Sequence, residues 1–200
     1  MKKLLPTFGL FLLTLVFVLA ASPAPADIKK DFAAFDKAFI PPLALTNQGM
    51  VQFSKKAMKR LNENWQAFRA RYYESNPSDS LWKGDLDRID EQIRAAGDIV
   101  NSGQDLMKAH EELEEIRIIT LELRKRNGMD YYLDPLTLFH LHMEEIFHTG
   151  KDNTSEDLDE AMISGLRETL EEAMDLWRKI GETPFDRDLF GFTDEQVAQM

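Results

Sequence analysis

Apolar residues recur every third or fourth position from Asp27 onward, and nowhere does a period-two alternation persist long enough to build a sheet. That spacing puts one apolar stripe on each of a series of helices, which confines the chain to the all-α class before any other feature is weighed. The first stripes are Ile28, Phe32, Phe35 and Phe39, then Met50, Phe53, Ala57, Leu61, Trp65, Phe68 and Tyr72. Leu86, Ile89, Ile93, Ala96 and Val100 follow, and then Leu106, Ala109, Leu113, Ile116, Thr120 and Leu123. The last long stripe is Leu158, Met162, Leu166, Leu170, Ala173, Trp177 and Ile180. Met50, Met58, Met107, Met143, Met162 and Met174 fall at helical core spacing and read as core fillers, as do Trp65 and Trp177.

The residues between the stripes predict where each helix ends. Pro41-Pro42 is expected to stop a short first helix over 27–39, because a proline pair removes donors and crowds the preceding turn. A second helix is expected from about Leu45 to Ser75, stopped by Asn76-Pro77, and a third from about Asp79 to Val100 with a turn at Asn101-Ser102-Gly103. The fourth runs from Gln104 to Asn127 and closes at Gly128. Asp134-Pro135 opens the next, with an acid at the cap and proline at the first helical position, and Gly150 is expected to end it after Thr149. Thr154-Ser155-Glu156-Asp157 reads as the capped start of the last long helix. Residues 184–200 form a tail with one short helix after Thr193. Short connections between amphipathic helices favour antiparallel neighbours, so residues 27–183 are expected to form an up-and-down antiparallel helical bundle of four to five helices, with a short N-terminal helix.

The first 26 residues differ in kind. Met1-Lys2-Lys3 is followed by an apolar run from Leu4 to Ala21 and then by Ser22-Pro23-Ala24-Pro25-Ala26, the three parts of a secretory signal peptide. Cleavage is expected after Ala26, with Ala20 or Ala21 as alternatives, and an uncleaved membrane anchor as the competing reading. The whole chain carries a net charge of −11, and removal of Lys2 and Lys3 with the signal leaves the mature 174 residues at −13. Such an acidic surface argues against binding the phosphate backbone of nucleic acid. The absence of cysteine excludes disulfides, thiolate metal sites, a lipid anchor at the signal junction and covalent haem. These features point to a bacterial periplasmic or secreted protein with no membrane span after signal cleavage.

An exported, all-helical chain of this size resembles the periplasmic four-helix bundles of the cytochrome b562 and cytochrome c′ type, by architecture over most of the mature chain. The attachment motif of the c′ family, Cys-x-x-Cys-His, is absent. The resemblance to the b562 type implies a methionine on the first helix, where Met50 or Met58 could stand, and a histidine on the last. The last long helix, residues 154–179, contains no histidine, which argues against haem.

Chemistry-bearing residues concentrate in two consecutive helices. His110, His140, His142 and His148 lie among acids, in the strings His110-Glu111-Glu112-Leu113-Glu114-Glu115 and His140-Leu141-His142-Met143-Glu144-Glu145-Ile146-Phe147-His148. With the two helices antiparallel about the 128–134 loop, and Asn127 level with Pro135, His148 is level with Glu114. His140 then falls roughly 18 Å from His110 along the helix axis. The expected metal ligands are therefore His110, Glu114, Glu144 and His148, two facing (i, i+4) pairs whose nitrogen and oxygen donors suit a divalent transition metal. The competing reading is a solvated acidic face with ordinary helical ion pairs. Arg117, on the same ridge, is expected to pair with Glu144 or Glu145. The loop from Arg124 to Asp134 mixes cations, tyrosines and acids, and is the most ligand-like surface segment.

No Ser-His-Asp arrangement, phosphate loop or His-Glu-x-x-His motif is present, so no enzymatic activity is expected. The function expected is a non-catalytic bundle that binds a metal ion or small ligand through the His/Glu cluster. The alternative is an envelope interaction or chaperone-like protein whose tail, with Phe190 and Phe192, recruits a protein partner.

Overall fold

The computed structural model describes residues 28–76, 78–154 and 156–199; the expected export signal at 1–26 lies outside them. Every regular element among these residues is helical: α1 Ile28–Asn47, α2 Val51–Tyr72, α3 Trp82–Ser102, α4 Leu106–Arg126, α5 Leu133–Asp152 and α6 Glu160–Glu182, with two short helices, α7 Arg187–Phe190 and α8 Asp194–Val197. α1 packs on α2 and α4, α2 on α3, and α3 on α4, so these four close a ring of neighbours. α5 packs mainly on α6, with a narrower contact to α4, and α7 returns onto α1. No helix among the described residues is long and apolar enough to cross a membrane.

The ring encloses the core. Phe32, Phe35, Leu61, Trp65, Trp82, Leu86, Ile89, Leu113, Ile116 and Leu123 are each less than 2% exposed. Full burial of an apolar side chain of this size contributes about 1.5–3 kcal/mol. The two buried indoles also satisfy their polar ends: Trp65 donates its N–H to Asp90 and Trp82 donates to the Tyr72 carbonyl, at 3.0 and 2.7 Å. Arg126 bridges Asp79 and Asp85 and ties the end of α4 to the start of α3.

The expected stop at Pro41-Pro42 does not occur. α1 runs through both prolines to Asn47, because the apolar stripe continues past them: Pro42, Leu43 and Thr46 are all buried. The Thr46 hydroxyl donates to the carbonyls of Pro42 and Leu43 at 2.8 and 3.0 Å, which holds the last turn together. The reversal comes instead at Gly49, whose φ of +70° is the left-handed conformation glycine adopts without strain. Burial here outweighs the local cost of proline. Pro41 is on the exposed side, so Pro41→Ala is expected to restore a backbone hydrogen bond and raise stability by about 1–2 kcal/mol, read from urea denaturation.

Other boundaries move for similar reasons. The buried face of α2 starts with Ser54 and Met58, while Phe53 is 63% exposed and Met50 is also exposed. Ser54 is satisfied within its own helix, donating to the Met50 carbonyl at 2.9 Å, so it tolerates burial next to the turn. α5 passes through Gly150 to Asp152. α6 starts later than expected, because Thr154 donates its backbone N–H and hydroxyl to Asp157 and so forms a turn rather than a cap. Asp159 caps the helix instead, accepting from the Met162 N–H; Ser155 of the expected start lies outside the described residues.

The stripe on α6 is only half covered. Ala173 and Ile180 are buried, but Leu170, Met174 and Trp177 are exposed, Trp177 by 60%. A helix whose main neighbour is one other helix cannot bury the full width of an amphipathic face. Of the six methionines read as core fillers, Met58 alone is buried. In the tail, the short helix after Thr193 is present with a capping box. Phe190, 5% exposed, joins the core against Tyr131 and Phe185.

Candidate metal centre

The register between α4 and α5 decides which polar residues meet. Arg124, buried near the end of α4, donates through Nε and Nη2 to Asp134 in the first turn of α5, at 2.9 and 2.5 Å. Its guanidinium also stacks over the rings of Phe32 and Tyr131, and its side chain is only 3% exposed. Burial raises the Asp134 carboxyl above its usual range, and the guanidinium opposes that rise. This bridge puts Asp134 level with Arg124. Ten residues forward along α5 and ten back along α4 then bring Glu144 level with Glu114.

The expected alignment, with Pro135 level with Asn127, is displaced by about one helical turn. Glu144 therefore takes the level expected for His148, and His140 the level expected for Glu144, so that His140 replaces His148 as the α5 nitrogen donor. His140 Nε2 lies 3.7 Å from Glu114 Oε1 and 3.1 Å from Glu144 Oε1. His148 is exposed and rests edge-on against Phe147, outside the cluster. His142 faces the other way, 3.5 Å from Glu172 of α6.

His110 and Glu114 keep the (i, i+4) pairing that the sequence predicts, while Glu144 joins them one turn from its expected level. His110 Nε2 lies 3.5 Å from Glu114 Oε1. Its other nitrogen, Nδ1, is 3.0 Å from the Leu43 carbonyl. A carbonyl oxygen can only accept, so Nδ1 carries a proton, and Nε2 is the nitrogen that the neutral form of the ring offers as a lone pair. Arg117 pairs with Glu114 rather than with Glu144 or Glu145: its Nη1 is 3.1 Å from Oε2. That contact holds the carboxylate and leaves Oε1 for the cluster.

Donor atoms of Glu114, His140 and Glu144 lie within 4.8 Å of one another. Glu114 Oε1 and His140 Nε2 are both buried, and neither has a hydrogen-bond partner. An unsatisfied buried polar atom costs about 1–3 kcal/mol, so two facing each other mark a place shaped for something that bonds to both. His110 and His140 lie 3.5 and 3.7 Å from Glu114 Oε1, and His140 lies 3.1 Å from Glu144. Donor atoms around a tetrahedral zinc ion, at bonds of about 2.0–2.1 Å, are about 3.3–3.4 Å apart. The His110 ring, with its far N–H on a backbone carbonyl, has the outer contact typical of a ligating histidine. Glu114, His140 and Glu144 together offer one nitrogen and two oxygens, a donor set that fits a divalent transition metal, with His110 beside them at Glu114 Oε1.

No protein-family model, curated protein or solved structure matches this chain, so its site is read from its own residues and geometry.

Proposed function

We propose that this chain is an exported, non-catalytic helical-bundle protein that binds a divalent transition-metal ion, with zinc the best fit, through Glu114, His140 and Glu144, with His110 as the adjoining fourth donor. The observation that carries the reading is the pair of buried, unpartnered atoms, Glu114 Oε1 and His140 Nε2, in a cluster of metal-ligating donors. The ring of α1 to α4 supports a four-helix bundle with an α5–α6 hairpin appended, and with it the architectural likeness to the periplasmic cytochrome bundles. The basic, apolar and small-residue parts of residues 1–26 support export to the periplasm or beyond.

Zinc titration of metal-stripped protein tests the reading. One zinc per chain is expected, and zinc at about 100 times its Kd should stabilise the fold by about 2.7 kcal/mol in denaturant unfolding. His140→Ala is expected to weaken zinc by more than about 100-fold, beyond the usual cost of losing an outer contact, whereas His148→Ala should leave affinity unchanged. Absence of zinc binding, with no shift in Tm, overturns it. A second reading, an envelope interaction or chaperone-like protein, draws on the exposed apolar residues Phe147, Leu170, Met174 and Trp177 of the hairpin. It requires no zinc response.

A further inference from the structure

A cavity of about 390 Å³ lies between α1, α4 and α5 and reaches Trp177 of α6. Its volume falls in the range of about 300–1,000 Å³ usual for small-molecule sites. Phe39, Leu43, Leu136 and Phe139 give it an apolar wall. Two guanidinium groups, Arg117 and Arg124, also line it, while Glu114 and Asp134, the acids that pair with them, do not.

Arg124 is the more informative of the two cations. Nε and Nη2 are committed to Asp134, which fixes the plane of the fork, but Nη1 is buried with no acceptor. A buried guanidinium N–H without a partner is costly, and a carboxylate is its natural acceptor. We propose that this cavity binds a small organic acid with an apolar body, the carboxylate meeting Arg124 and Arg117 and the body covering the wall of Phe39, Leu43, Leu136 and Phe139.

Asp36 of α1 also lines the cavity, 7% exposed, and accepts the Tyr131 hydroxyl. Burial pushes its carboxyl up to about 6, against the pull of Arg124 and Arg117, with Asp134 adding to the rise. His140 of α5 is the remaining titratable side chain in the wall. A bound carboxylate competes with Asp36 for the same two cations, so Asp36 takes up a proton on binding. Affinity should therefore strengthen as pH falls from 8 towards 5.5.

Isothermal titration of the EDTA-treated protein with octanoate and 3-phenylpropionate tests the proposal independently of the metal centre, with 1-octanol and octylamine as controls. One acid per chain is expected to bind, at least tenfold tighter than octanol or octylamine. Arg124→Gln and Arg117→Gln should each weaken the acid about tenfold or more. Should Arg124→Gln fail to fold, Arg117→Gln and Ile40→Trp decide the outcome: Ile40 is 50% exposed on the cavity lining, where a larger ring can fill the space without entering the core. Asp36→Asn should keep the acid but lose the pH dependence. No heat from either acid at millimolar concentration, equal binding of octanol, tighter binding of octylamine, or affinity indifferent to Arg117→Gln and Ile40→Trp would each overturn it.

Discussion

Asp36→Asn is expected to stabilise the fold by about 3 kcal/mol at pH 8 and by almost nothing at pH 4. The carboxyl is raised from 3.8 to about 6 in the folded chain, with burial as the largest cause. The fold therefore favours the protonated form. The group's contribution is complete below about pH 4, declines as pH rises through about 6, and is absent at pH 8. A gap of roughly two pH units, at about 1.36 kcal/mol each, sets the size of the effect. Asparagine resembles the neutral carboxyl and still offers an oxygen to the Tyr131 hydroxyl, so it escapes the penalty of ionisation. The attraction of Arg124 and Arg117 is already included in that net rise. Urea denaturation of both proteins at the two pH values provides the check. A variant no more stable than the parent at pH 8 would show that the ionised carboxylate is well accommodated.

The second large effect concerns the bridge that aligns α5. Asp134→Ala is expected to cost about 3 kcal/mol, the lower end of the range for breaking a buried ion pair from one side. The lower end applies because Asp36 remains close enough to feel the Arg124 charge. The same substitution should weaken zinc at least tenfold, although Asp134 lies outside the metal cluster. The reason is register: without the bridge, nothing comparable holds His140 and Glu144 level with Glu114. Thermal unfolding and zinc titration read the two consequences separately. Loss of stability with zinc affinity intact would show that the register is held elsewhere, for instance by the packing of α5 on α6.

Much of the helical pattern is visible in the residues themselves. The stripe on α4 from Ala109 to Leu123 is buried along its length, and Gly103 and Gly128 adopt positive φ at the turns where the sequence marks them. The prolines of α1 are misleading because their penalty is local, whereas the burial of Leu43 and Thr46 depends on other helices. Asp36 was open to detection, since Phe32, Asp36 and Phe39 share one stripe and an acid there must be buried. His140 was not. Its distance from Glu114 depends on how the 128–134 loop returns the chain, and apolar periodicity carries no information about that.

The sequence alone determines that this chain is helical, where most of its apolar faces lie, that cysteine chemistry is excluded, and that His and Glu gather on two consecutive helices. These follow from spacing and composition, which act within a few residues of one another. Tertiary structure alone decided that His140 rather than His148 faces Glu114, and that Arg124 and Asp36 share a cavity wall. The first of these depends on an offset of one helical turn between α4 and α5. That offset is set by the buried bridge from Arg124 to Asp134, a contact between two elements that periodicity within either one does not encode.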